Sequence, residues 1–156
     1  MKRVFSFLII MVLAVGTACA ERVVLGAEQT KEYLPLLKGK RGALLSNHTG
    51  LIIQAKGDTI HTLDWLLGHV IQVSAIFSPE HGFRRTAREG EKVASSVDEK
   101  SGIPILSRYD GDSKYPSKES MGMFDVLVTD IQDVGLRFYT YYITMFRLRD
   151  VCAQYG

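Results

Sequence analysis

Apolar residues cluster along this chain in short continuous runs, which are separated by polar turns that contain glycine. Three of the runs, at residues 43–46, 70–77 and 125–129, show little alternation of apolar and polar positions. Strands that are buried on both faces of a parallel sheet have this continuous pattern. A fourth run, at residues 103–106, contains Pro104, which favours an edge strand or the first residue of a strand.

Helices are predicted before, between and after these strands. A short helix begins near Thr30 and stops at Gly39, and Thr62 is predicted to cap a second one that stops at Gly68. Residues 139–155 form the last helix, with apolar positions at Ile143, Phe146, Leu148 and Val151. Strands that alternate with helices predict an α/β fold, a parallel sheet with helices on both faces.

Polar turns follow three of the predicted strands, at Asn47, Glu80 and Asp130. Sheets of this class bind ligands at the carboxyl ends of their strands. We therefore expect the three turns to converge on one crevice.

The first twenty residues have the parts of a secretory signal peptide. Residues 2–3 are basic, residues 4–15 are apolar, and Ala18 and Ala20 provide the small residues that signal peptidase recognises. We predict that residues 1–20 are a signal peptide and that the protein is exported to the periplasm or the cell exterior.

Cleavage before Glu21 leaves residues 21–156 as a single domain, whereas Cys19 supports a competing hypothesis of lipid anchoring at that cysteine. Removing the leader changes 19 basic against 17 acidic residues to 17 against 17, because Lys2 and Arg3 are lost. No basic excess then remains to attract nucleic acid or an anionic membrane. Only Cys152 is left, so an internal disulfide is excluded.

Glu80 and His81 lie between Pro79 and Gly82 in the turn after the second long run. Proline restricts the backbone, and glycine lets a ligand or another backbone approach closely. A glutamate that is shielded from water tends to have a raised pKa, which suits it to donate a proton to a leaving group. The alternative is a solvated acid beside a loop histidine.

Asp130 and Asp133 follow the third long run, and Arg137 comes shortly after them. Either aspartate can supply the second carboxylate of a glycoside hydrolase or cap the helix that begins nearby, and we favour capping for one of them. The planar guanidinium of Arg137 suits a carboxylate ligand. The alternative is an internal salt bridge from Arg137 to Asp130 or Asp133.

Asn47, His48 and Thr49 carry hydrogen-bonding groups that suit a polyhydroxylated ligand, although Asn and Thr are also ordinary turn residues before Gly50. The chain lacks the paired His or Cys spacings that indicate a metal site, and it lacks the glycine-rich loops that bind nucleotides. We predict no metal, no cofactor and no nucleotide.

Several different long motifs follow one another along nearly all of residues 21–156. They lie at residues 46–50, 77–84, 90–93, 125–128 and 130–141. Together these motifs resemble the bacterial exo-β-N-acetylmuramidases, glycoside hydrolase family 171, formerly a domain of unknown function.

The resemblance implies a hydrolase that removes N-acetylmuramic acid from the non-reducing end of peptidoglycan fragments, such as muropeptides or disaccharides. It implies a cleft between a Rossmann-like N-terminal domain and a second, C-terminal domain. Glu80 matches the proposed catalytic residue of the family, and we place His81 and Asp130 beside it in catalytic roles. The predicted substrate-binding residues are Asn47, His48, Gln132, Asp133, Arg137 and Tyr139. We expect Arg137 to bind the lactyl carboxylate of muramic acid.

The sequence ends at Gly156, whereas family members continue through the second domain. The expectation is therefore an N-terminal domain truncated before a C-terminal domain, which would be its missing partner. Two other classes of function stay open. One is a non-catalytic periplasmic module that binds muropeptides or sugars, and the other is an inactive fragment whose exposed apolar face makes it aggregate.

Overall fold

The computed structural model describes residues 23–84, 95–107 and 115–155 of the 156-residue chain. The predicted signal peptide, residues 1–20, lies outside the described residues. Within the described ranges, no helix is both long enough and apolar enough to cross a membrane.

The described residues form seven strands, which are arranged in one large sheet and one hairpin. They are β1 Gly42–Ser46, β2 Leu51–Ile53, β3 Thr59–His61, β4 Val73–Ser78, β5 Ser96–Val97, β6 Pro104–Ser107 and β7 Val126–Asp130. The large sheet has the order β5-β6-β4-β1-β7, and β2 pairs with β3. Strand β1 is parallel to β4 and β7, β4 is parallel to β6, and only β5 is antiparallel within this sheet. The fold is therefore the predicted Rossmann-like α/β fold.

Four α-helices accompany the strands in the described part of the chain, and a short 3-10 turn at Gly26–Glu28 precedes them. The helices are α1 Thr30–Leu37, α2 Thr62–Gly68, α3 Lys118–Met121 and α4 Thr140–Tyr155. Two apolar clusters show that helices cover both faces of the sheet. Helices α1 and α2 pack on one face, and α3 and α4 pack on the other.

Successive residues of β1 point to opposite faces, so each of the two clusters takes alternate side chains. Leu44 belongs to the cluster under α1 and α2, together with Leu63 and Leu66. Leu45 belongs to the other cluster, together with Leu148 of α4. Every residue of β1 is buried, which explains the continuous apolar run in the sequence.

Four predicted features differ from the structure. The third long run forms β7, which lies at the edge of the described sheet and is only partly buried, rather than buried on both faces. The second long strand begins at Val73 rather than Val70, because Val70 has a φ of 60° and lies exposed in the turn after α2. Thr62 is the first residue of α2, and His61 is its cap, since the His61 side chain accepts a hydrogen bond from the Leu63 amide. In α4, Phe146 is exposed, and Tyr141 and Thr144 are buried in addition to Leu148 and Val151.

Helix α2 ends against His69, which stacks on the single tryptophan of the chain. The rings of Trp65 and His69 are 4.2 Å apart between centroids, and His69 Nδ1 lies 2.8 Å from the Trp65 carbonyl oxygen. The C-terminal end of α2 is thereby capped by the residue that follows it, His69.

The amino ends of β1 and β7 are joined by an exposed ion pair. Arg41 donates from its backbone amide to Asp125 Oδ2 at 2.8 Å and from its guanidinium to Asp125 Oδ1 at 2.6 Å. The Asp125 amide donates to the Arg41 carbonyl at 2.8 Å. Hydrogen bonds from Arg41 lower the pKa of Asp125 to about 2.

Candidate active site

The carboxyl ends of four parallel strands stop at the same level of the sheet. Ser46 of β1 pairs with Asp130 of β7, Ser78 of β4 pairs with Ser107 of β6, and Ser46 lies level with Ser78. All three serines are fully buried. The polar turns after β1, β4 and β7 therefore begin along one edge, as the sequence predicts.

A cavity of about 530 Å³ opens where β1 meets β7. From β1 the chain builds the sheet outward through β4 and β6, then returns to place β7 on the other side of β1. Ligands of such sheets bind at this reversal of strand order. The polar residues around the cavity include Thr49, Thr62, Asp130, Gln132 and Tyr33. Of the residues that the sequence predicts to contact a ligand, Thr49, Asp130 and Gln132 line this cavity, whereas Glu80 and His81 do not.

Asp130 is held by residues from the other side of the crevice. Its Oδ2 atom accepts a hydrogen bond from Thr62 Oγ1. Gly50 lies so close that an added Cβ would be 2.2 Å from Ser46 Oγ and 3.1 Å from Asp130 Oδ2. Burial of the ring and the negative charge of Asp130 raise the pKa of Tyr33, which also lines the cavity.

Glu80 occupies a corner of a tight turn at the end of β4. The Gly82 amide donates to the Pro79 carbonyl at 3.2 Å, and His81 has a φ of 72°. A positive φ at the third position is characteristic of a type II turn, in which Gly or Asn is usual. Glu80 and His81 are half-buried. Among the described residues the Glu80 carboxyl has no hydrogen bond or ion pair, so it is available to a ligand.

Two buried contacts fix the chain immediately after this turn. Phe83 is 2% exposed and belongs to the core cluster under α1 and α2. Arg84 donates from Nε to Asp98 Oδ1 at 2.7 Å and lies 3.8 Å from Asp64. The hydrogen bond from Arg84 holds the pKa of Asp98 below its usual value, although burial of Asp98 opposes this shift. The segment after Glu80 is therefore anchored, and Pro79 on the other side of the turn is also buried.

The turn after β1 is organised by Asn47, which is fully buried. Asn47 Oδ1 accepts from the Thr49 amide at 3.0 Å and from Thr49 Oγ1 at 2.7 Å. The Asn47 Nδ2 atom is buried and has no partner among the described residues. His48 and Thr49 are half-buried. The side-chain oxygen of Asn47 therefore stabilises the turn through Thr49. Substrate contact by Asn47 and His48 stays a prediction.

The segment after β7 is the most exposed part of the predicted site. Gln132 Nε2 donates to Tyr139 Oη at 3.2 Å, and Asp133 Oδ1 accepts from the Gly135 amide at 2.7 Å. Asp130 and Asp133 are thus engaged elsewhere, and the expectation that one of them caps α4 is wrong. Arg137 is exposed and forms no ion pair with any residue of the described ranges, so the alternative of an internal salt bridge also fails there.

Sequence reasoning missed His61, Thr62 and Tyr33 as neighbours of the site. Thr62 was interpreted as a helix cap, and its contact with Asp130 spans 68 positions, which no local pattern reveals. In the described part of the chain, no three His, Cys, Asp or Glu side chains are placed so that they could hold a metal ion.

Comparison with known proteins identifies one family. The profile described as exo-beta-N-acetylmuramidase NamZ, N-terminal, matches residues 43–156. The peptidoglycan beta-N-acetylmuramidase NamZ of Bacillus subtilis strain 168 is 40% identical over 126 residues. That alignment covers 80% of this chain and 29% of the Bacillus protein.

Two solved structures from Bacteroides fragilis NCTC 9343, both described as DUF1343 family proteins, share the fold. One is 52% identical with a TM-score of 0.69, and it covers 86% of this chain and 33% of the Bacteroides chain. The other is 34% identical with a TM-score of 0.69, and the match covers 83% of this chain and 31% of that Bacteroides chain. The sequence thus spans about a third or less of the length of each of these relatives.

Proposed function

This chain belongs to the exo-β-N-acetylmuramidase family, and from that premise we propose that it hydrolyses the β-glycosidic bond of N-acetylmuramic acid at the non-reducing end of peptidoglycan fragments. In this proposal Glu80 is the general acid that protonates the leaving oxygen. His81 and Asp130 complete the catalytic group.

The geometry of the Glu80 turn is the observation that carries the proposal. The carboxyl is half-buried, has no partner among the described residues, and lies on a turn whose neighbours Pro79 and Phe83 are buried. A general acid needs a fixed position and a carboxyl that is free to meet the substrate. A solvated loop acid would need neither anchor.

Asp130 is the second carboxylate that supports this chemistry. It ends β7, and β1 alone separates β7 from β4, the strand that leads to Glu80. The hydrogen bond from Thr62 keeps Asp130 at the mouth of the cavity between β1 and β7. Glycoside hydrolases require such a second group on the other side of the scissile bond.

Arg137 is proposed to recognise the lactyl carboxylate that distinguishes muramic acid from glucosamine. Its guanidinium is exposed and has no ion pair in the described residues, so it can form a bidentate pair with a ligand carboxylate. A positive group at this position discriminates by the negative charge of the lactyl group, which N-acetylglucosamine lacks.

The test is release of 4-nitrophenol from 4-nitrophenyl β-N-acetylmuraminide by the purified chain, beside the matching glucosaminide. We expect release from the muraminide, and a loss of roughly 100-fold or more in Glu80→Gln, because the amide cannot donate the proton. Glu119→Gln is the matched control, since Glu119 is exposed on α3 and precedes β7.

Equal rates for Glu80→Gln and Glu119→Gln would refute Glu80 as the acid. A folded chain that releases nothing would contradict the hydrolase proposal for these residues. Binding of a muropeptide by that inactive chain, measured by calorimetry, would then support the non-catalytic binding module.

A further inference from the structure

The residues at the junction of β3 and α2 contact the turn after β1, the segment after Glu80 and the end of β7. His61 is the last residue of β3 and the cap of α2, and Thr62 is the first residue of the helix. Neither residue belongs to the turns after β1, β4 and β7, and the function proposed above uses only the hydrogen bond from Thr62 to Asp130.

His61 binds the turn after β1 through one ring nitrogen and caps α2 through the other. Its Nε2 atom lies 2.9 Å from the Asn47 carbonyl oxygen, and its Nδ1 atom accepts from the Leu63 amide at 3.2 Å. Because an amide N–H can only donate, Nδ1 must be the unprotonated nitrogen. The proton is therefore on Nε2, which donates to Asn47, and both bonds require the neutral ring.

The same imidazole packs against the segment that carries Glu80. The His61 and Phe83 rings meet edge to face, with centroids 4.8 Å apart and an interplanar angle of 73°. Phe83 is three positions after Glu80, and both side chains in this contact are buried. A shift of His61 would therefore move the far end of the Glu80 turn.

Thr62 binds the remaining part of the crevice. Its backbone amide donates to the Gly50 carbonyl at 2.9 Å, and its hydroxyl donates to Asp130 Oδ2. Gly50 ends the turn after β1, and Asp130 ends β7. One side chain and one amide of Thr62 thus join two neighbouring strand ends.

We propose that His61 and Thr62 are positioning residues, which set the placement of the Asn47 turn, the Glu80 turn and Asp130 relative to one another for the proposed hydrolysis. The inference rests on the proposed function for its catalytic consequence. Its structural content, that one dipeptide couples three loops, stands on the contacts alone.

Protonation of His61 is the natural way to disturb this arrangement. A proton on Nδ1 would face the Leu63 N–H, so the cap would be lost. Burial lowers the pKa of His61, and the charge of Arg84 on the loop after β4 acts in the same direction. The hydrogen bond to the Asn47 carbonyl opposes the shift, as do the charges of Asp64 on α2 and Asp130 at the end of β7. The loops should therefore stay coupled near neutral pH and separate on acidification.

The experiment combines NMR titration of the purified chain with kinetics on the 4-nitrophenyl muraminide. In the wild-type protein, the amide shifts of Asn47 and Phe83 should follow the titration of the His61 ring, and they should lose that inflection in His61→Gln. The ring should also show the Nε2-protonated tautomer at neutral pH. His69→Gln is the matched control, because His69 is exposed at the other end of the same helix.

In the kinetic arm, His61→Gln and Thr62→Val should each lower kcat by roughly 10- to 100-fold, because small displacements of catalytic groups cost this much. In both variants KM should change by less than about threefold. Only His61→Gln should alter the acid limb of the pH profile of kcat. Thr62→Ser, which keeps the hydroxyl, should restore kcat. A kcat in both variants within about twofold of His69→Gln would overturn the proposal.

The two arms separate failure of the inference from failure of the proposed function. If the wild-type chain releases no sugar, the hydrolase proposal fails, and the NMR titration still decides the coupling. Amides of the three loops that titrate independently of His61 would overturn the inference, and this measurement requires no variant to fold.

Discussion

The two ends of the parallel strands place their polar residues in different surroundings. At the amino ends, Arg41 and Asp125 are each 45% exposed in their side chains and satisfy each other. At the carboxyl ends, Ser46, Ser78 and Asn47 are fully buried. Both ends belong to the same strands in the same register, so the strands themselves do not cause the difference.

The difference lies in which partners the polar groups have. Arg41 and Asp125 form a closed pair, whereas Glu80 has no partner among the described residues and Asp130 is held by Thr62. His81 also adopts a left-handed backbone conformation, which is unfavourable for a residue with a Cβ. Such local strain is found where the surrounding structure fixes it, and functional sites are the usual places.

The largest expected effect comes from removing one buried phenylalanine at each end of the sheet. Phe83→Ala should destabilise the chain by about 3 to 5 kcal/mol, because a large buried side chain is lost. Phe124→Ala, beside Asp125, should cost a similar amount, since Phe124 is buried against Phe77. Urea unfolding measures both changes.

These two variants should differ in activity at a temperature where both remain folded. Phe83→Ala frees the segment after Glu80 and should lower kcat strongly, whereas Phe124→Ala should lower it less, because Phe124 contacts β4 at Phe77, within the strand before the turn. Equal losses of kcat in the two variants would contradict the division between the two ends of the sheet.

An effect of intermediate size on activity is expected from Arg137 at the carboxyl ends of the strands, and Arg41 at the amino ends is its control. Arg137→Ala should lower kcat/KM on the muraminide by roughly 10- to 100-fold, the equivalent of a charged hydrogen bond worth about 1.5 to 3 kcal/mol. Its free energy of unfolding should not change. Arg41→Ala should leave the muraminide rate unchanged, and a preference for muramic acid that survives in Arg137→Ala would refute the carboxylate contact.

The smallest effect concerns the exposed pair at the amino ends. Because the pKa of Asp125 is lowered to about 2 in the folded chain, its stabilisation is present above pH 4 and is lost as the pH falls towards 2. Asp125→Asn should therefore lower the urea midpoint slightly at pH 7, and less so at pH 2.5 or in high salt. Asp150→Asn, an exposed change on α4, is the control that should show no such pH dependence.

Continuous apolar runs predicted the central strands well, because β1 and β4 are buried on both faces and their sequence shows it directly. Pro104 was also placed correctly, as the first residue of β6. The hairpin of β2 and β3 was not predicted. Its strands have three residues each, which leaves too short a pattern to recognise.

The candidate site was predicted only as far as the strand ends define it. Asn47 and Glu80 follow buried strands and Asp130 ends the partly buried β7, so their common edge could be inferred from the sequence. The contacts of His61 with Asn47 and Phe83 could not, because they depend on how α2 packs against loops far apart in the chain. Helix-cap preferences even suggested the neighbouring residue, Thr62, for the capping role.

The stack of Trp65 and His69 gives this protein a built-in optical reporter. Trp65 is the single tryptophan of the chain, so the indole fluorescence of the protein comes from α2. The cap of this helix, His61, and its first residue, Thr62, are the proposed positioning residues. A change in emission when a sugar is added would therefore record movement of that helix directly, without a dye and in the unmodified chain.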